Sequence, residues 1–154
     1  MSYSLVFFMD TKKQSSLEQG RMILLFNGKL IETYIATSGA PGWQDRDNVD
    51  DRGRGLIPSC MDANLDSYWV KTKAIPMPNK KGIEGNFYPI TPFAVTVGGV
   101  QRSDFGIHAD ANVPGSAGCI VLPPKGNGWK VLQERMAAIA KEGMEQLRLV
   151  VVYS

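Results

Sequence analysis

Apolar and polar positions along this chain mostly fall in short alternating or clustered runs, the pattern of β-strands separated by turns rather than of amphipathic helices. Residues 3–9 form one apolar run and residues 21–26 another, with the polar stretch 12–16 predicting a turn between them. Asn27-Gly28 then separates the second run from a third at 30–37, and Asn-Gly between two such runs predicts a two-residue hairpin. Glu32 and Thr33 place polar side chains in the third run, so one of its faces is expected in water. Residues 67–75 alternate, with Tyr68, Val70 and Thr72 on one side, and Pro76 and Pro78 are expected to end that strand. Shorter runs at 87–90 and 93–97 flank Thr91-Pro92, and Gly98-Gly99 closes the second. Helical spacing appears once: Trp129, Leu132, Met136 and Ile139 share a face, with Asn127 placed to cap the start and Gly143 the end. That stripe reads as core. Residues 146–153 return to a strand apolar enough to be largely buried. The pattern predicts a mostly β fold, a single domain over residues 1–154 with one main helix in the C-terminal half.

Residues 38–55 (SGAPGWQDRDNVDDRGRG) break the pattern and predict a long loop, of the kind that is functional or mobile. Asp45, Asp47, Asp50 and Asp51 suggest a calcium loop, but Asp50 stands where such a loop needs glycine, and Leu56 where it needs its bidentate glutamate. Interleaved Arg46, Arg52 and Arg54 favour a solvated loop with mutually neutralising charges, and no metal site is expected.

The candidate chemistry lies in residues 105–123 (FGIHADANVPGSAGCIVLP), which hold the only histidine, His108, and one of the two cysteines, Cys119. A thiol attacks as thiolate, and an imidazole that takes its proton is the usual device for making it one at neutral pH. The apolar run before His108 and the one after Cys119 predict two adjacent strands joined by a loop. Pro114, Gly115, Ser116 and Gly118 would form a tight connection that folds the thiol back toward the ring. Gly118 permits a sharp turn just before the nucleophile, and the amides of Gly118 and Cys119 are candidate oxyanion donors. Cys60, in Ile-Pro-Ser-Cys-Met-Asp, has neither a glycine turn nor a histidine of its own, and reads as a structural thiol.

At Ile107, His108, Ser116, Gly118, Cys119 and Ile120 the sequence resembles the L,D-transpeptidase catalytic-domain family, in a compact branch with a short His-to-Cys connection. The resemblance implies a β-sandwich-like fold and makes Cys119 the acyl-accepting nucleophile, His108 its base and the carbonyl of Ala109 the group that orients the ring. It places Ser116, Ala117 and Gly118 at the substrate. Ala117 stands where most members carry a second histidine, and Val121 where many carry arginine or asparagine. Trp43 becomes a candidate lid residue, because in the family the segment after the second hairpin strand leads to the substrate groove. The implied activity is L,D-transpeptidase or L,D-carboxypeptidase acyl transfer on peptidoglycan stem peptides, without a cofactor. A Cys/His hydrolase acting on another peptide and a non-catalytic wall-binding module are the alternatives the same residues permit.

Composition narrows the setting. The chain of 154 residues is long enough for one core without disulfide staples, and 44% hydrophobic with 21% charged residues is the balance of a globular protein. A formal charge of +2, with Lys and Arg spread along the chain, gives no indication of a nucleic-acid partner. A bridge between Cys60 and Cys119 would block the nucleophile, so both are expected reduced. The N-terminal apolar run lacks a preceding basic region and a small-residue cleavage site, and is too short to span a bilayer. The implied substrate lies in the periplasm or cell wall, which together with such a start fits a phage lysis protein, an exported effector or a chain trimmed of its leader.

Overall fold

The structure, a computed structural model, describes residues 2–11, 17–45, 48–111 and 115–154. The predicted turn at 12–16, Arg46, Asp47 and Pro114 lie outside the described residues. The strands are β1 (Tyr3–Met9), β2 (Gly20–Phe26), β3 (Lys29–Ser38), β4 (Tyr68–Lys71), β5 (Ile75–Met77), β6 (Gly85–Thr91), β7 (Ala94–Val97), β8 (Val100–Ser103), β9 (Gly106–Ala109), β10 (Ile120–Leu122) and β11 (Gln146–Tyr153), with one helix, α1 (Gly128–Lys141), before the last. The mostly β class with a single helix among the described residues is as expected.

Two facing sheets were expected; the strands instead close into an eight-stranded barrel. Around the ring the order is β4-β11-β1-β2-β3-β10-β9-β6, and β6 returns to β4 through Trp69 opposite Thr91 and Val70 opposite Ile90. One buried face per strand is common to sandwiches and barrels, so periodicity does not separate them; the long-range partner of β4 does. Inside the ring Leu5, Phe7, Met22, Leu24, Tyr68, Val70, Ile107, Ile120, Leu147 and Leu149 are fully buried. Each such side chain contributes about 1.5–3 kcal/mol relative to leaving it in water. Helix α1 adds Leu132, Met136 and Ile139 to the same core.

Local signals held where a short-range cause sets the geometry. Asn27 and Gly28 both have positive φ (48° and 81°), as the predicted tight hairpin requires. Gly143, at φ 99°, follows the helix end. Asn127, by contrast, makes no side-chain cap; only its backbone oxygen serves the helix, accepting from Val131 N at 2.9 Å. The predicted strand 67–75 breaks after Lys71 and resumes at Ile75, where Pro76 pairs with Asn86 instead of ending it. Proline is tolerated there because β5 is the edge of the sheet. β8 was not foreseen: it pairs with β7 across Gly98-Gly99, and it turns the charged side chain of Arg102 inward.

Candidate functional site

β9 and β10 are parallel neighbours, with Ile107 opposite Ile120 and His108 opposite Val121. Ile107 and Ile120 point into the barrel core, so alternation turns His108 and Val121 to its outer wall. One step back along the same register sets Cys119 beside Gly106, whose N–H faces Sγ closely enough to oppose the rise of the thiol pKa. Cys119 and His108 are therefore diagonal neighbours on one face of a strand pair. Both open into a cleft of about 1100 Å³ on the outside of the barrel.

The imidazole is held from two sides. Nδ1 lies 2.8 Å from the Ala109 carbonyl, and since a carbonyl only accepts, Nδ1 carries the proton and Nε2 keeps the lone pair a base needs. Phe87 stacks on the ring at 6.1 Å between centroids. Gly106 has to be glycine for this arrangement, because a Cβ there would run into the Phe87 ring. Burial pulls the pKa of His108 down from 6.5, opposed by its bond to Ala109 and by the nearby Asp110 carboxylate. Asp110 accepts from Gly115 N at 3.0 Å through Oδ2, while Oδ1 is buried with no partner among the described residues.

Cys119 is half-buried and a free thiol. Burial pushes its pKa up to about 11, aided by the Asp104 carboxylate and opposed by Gly106 N–H. No hydrogen bond joins it to His108: Sγ donates instead toward the Asp104 carbonyl, 3.6 Å away. The resting pair is thus neutral thiol and neutral imidazole. Catalytic hydrogen bonds commonly tighten only around bound substrate.

The turn before Cys119 is built by Ser116. Its Oγ donates to the Cys119 carbonyl at 2.6 Å and accepts from Gly39 N at 3.2 Å and Gly118 N at 3.3 Å. The Gly118 amide, expected to face an oxyanion, is thereby engaged inside the turn, which leaves the Cys119 amide as the remaining candidate. Gly118 has φ 128°, and a Cβ on it would lie 2.6 Å from Arg102 Nη2. Ala117 is exposed at the cleft, with its carbonyl accepting from the same Nη2 at 3.2 Å.

Sequence reasoning missed Arg102. The side chain is 2% exposed, and its guanidinium also donates to the carbonyls of Val49, Gly55 and Leu56. Through backbone carbonyls it ties the 48–56 segment to the turn before Cys119, so among the described residues no acidic side-chain partner gives it away. Trp43 packs under the Arg54 guanidinium at 3.5 Å and does not line the cleft; its loop reaches the cleft through Ala40 and Gly53. The expectation that Trp43 lies over the cleft is therefore not met. Asp51 is spent on that loop, accepting from Gly53 N and pairing with Arg54 at 3.5 Å, and no cluster of three metal-ligating groups occurs among the described residues. No described helix is long and apolar enough to cross a membrane. No protein-family model matches the chain, and no curated protein is similar to it.

Proposed function

We propose that this chain carries out cysteine-dependent acyl transfer on peptidoglycan stem peptides, as a compact L,D-transpeptidase or L,D-carboxypeptidase acting through a Cys119 thioester. The observation that carries the reading is the shared cleft into which a histidine with a free Nε2 and a glycine-turn cysteine both open, from neighbouring positions on one sheet face. In this mechanism Nε2 of His108 takes the thiol proton as Sγ attacks the carbonyl carbon of the peptide bond before the terminal D-alanine. The Cys119 amide meets the oxyanion, and His108 returns the proton to the departing amine. Water or an acceptor amine then attacks the thioester carbonyl, with His108 again taking the proton, and the thiol is restored.

The acceptor side favours water. Val121 is 1% exposed and offers nothing to a second peptide, and Ala117 presents only a methyl group. Purified protein incubated with disaccharide-tetrapeptide should release free D-alanine and leave tripeptide, with cross-linked dimers a minor product by mass. Dominant dimers would reassign the reaction to transpeptidation. Neither product, from protein whose Cys119 still alkylates, overturns the acyl-transfer reading on stem peptides.

A further inference from the structure

Charge is distributed unevenly along the cleft. Besides the neutral His108, the ionisable residues with formal charge that line it among the described residues are Lys80 and Lys81 on the β5–β6 turn and Asp104 beside the thiol. Between them the walls are apolar, built from residues such as Ile75, Met77, Phe87 and Phe93. The turn carrying the lysines is well bonded: Lys80 N donates to Met77 O, and the N–H groups of Ile83 and Glu84 both donate to Lys80 O, at 3.1 and 2.9 Å. Two adjacent ammonium groups are thus held on a fixed backbone. Neither makes an ion pair among the described residues, both are exposed, and Glu84 of the same turn does not line the cleft.

Asp104 stands at φ 64°, a left-handed conformation that aspartate tolerates better than most residues with a side chain. It places a carboxylate next to the nucleophile, and Ser103 Oγ donates to it at 3.2 Å. A carboxylate remote from the scissile bond is therefore drawn toward the turn and away from the thiol end. The arrangement orients as well as attracts.

We propose that the cleft selects its donor peptide by a free carboxylate, bound by Lys80 and Lys81 while the acyl carbon lies at Cys119; this rests on the acyl-transfer reading and adds the feature that reading recognises. The probes are the tetrapeptide L-Ala-γ-D-Glu-L-Lys-D-Ala and the same peptide with the glutamate α-carboxylate converted to carboxamide. Binding is titrated to the Cys119→Ala protein, and kcat and KM are measured on the intact enzyme. Two exposed charge contacts predict that the free carboxylate binds about 5- to 10-fold tighter at low salt. The preference should disappear in K80Q/K81Q and at about 0.5 M salt, with KM raised and kcat held.

An equal preference in K80Q/K81Q overturns the lysine site, as does turnover of both peptides without preference, which leaves the acyl-transfer reading standing. Selective binding without turnover by the intact enzyme does the reverse, sinking acyl transfer and keeping the carboxylate site. Failure of both peptides to bind removes both.

Discussion

The molecule holds two thiols in contrasting settings. Cys60 is 7% exposed inside the core, where Val151 N donates to its sulfur at 3.4 Å and its own proton faces the Leu149 carbonyl at 4.0 Å. Cys119 likewise donates toward a backbone carbonyl, that of Asp104, 3.6 Å away. Hydrogen bonding to the sulfur therefore does not separate a packing cysteine from a candidate nucleophile. The separation comes from which side of the barrel wall the sulfur occupies, and from a histidine on the same face.

The widest gap between the two should appear in activity. Cys119→Ala and His108→Ala are each expected to lower kcat/KM on the tetrapeptide by about 10³-fold or more, and the double variant scarcely further, because the pair acts as a unit. Cys60→Ala should keep near-normal turnover while losing about 1–2 kcal/mol of stability in a denaturant titration, the cost of emptying a small core site. Activity that survives in His108→Ala would remove it as the base.

Reactivity is the next contrast. Brief alkylation followed by peptide mass mapping should label Cys119 at least tenfold faster than Cys60, because only Cys119 opens to the cleft. With the thiol pushed up to about 11, the thiolate fraction, and so the labelling rate, should climb about tenfold per pH unit through neutrality. A rate flat with pH below 7 would indicate a preformed thiolate–imidazolium pair instead. The imidazole shift has the opposite sign: a pKa lowered by burial keeps His108 neutral at pH 6.5, so the acid limb of kcat/KM should fall below that value.

Smaller effects sharpen the role of the turn. Arg102→Met strands four backbone carbonyls that the guanidinium now satisfies, and should cost about 3 kcal/mol in a denaturant melt. It should also change Cys119 labelling more than Cys60 labelling, since only Cys119 follows the tethered turn. Least affected should be Ala117→Ser, at less than about threefold in kcat/KM, because the Ala117 side chain is exposed and its structural contact runs through the carbonyl.

Much of the fold was legible because its causes are local. Runs 3–9 and 146–153 became β1 and β11 with the same bounds, and Asn27-Gly28 turned as that dipeptide demands. Barrel closure was not legible, since it depends on β4 meeting β6 across the molecule, and one face of alternation does not say which strand lies next door. At the site, Cys119, His108 and the Ala109 carbonyl fell together because the motif is nearly continuous and spans two adjacent strands. Arg102, Asp104, Lys80 and Lys81 escaped notice. Their roles follow from the backbone or cleft they reach, and each looks like an ordinary polar residue in a short strand or turn.

The most direct test is to mix the protein with excess tetrapeptide, quench in acid within seconds and measure intact mass. Attack by Cys119 predicts a covalent adduct equal to the peptide minus D-alanine, mapped to Cys119, absent in Cys119→Ala and strongly reduced in His108→Ala. Release of D-alanine that persists in Cys119→Ala, or an adduct mapped to Cys60, would show that the outward-facing thiol is not the nucleophile.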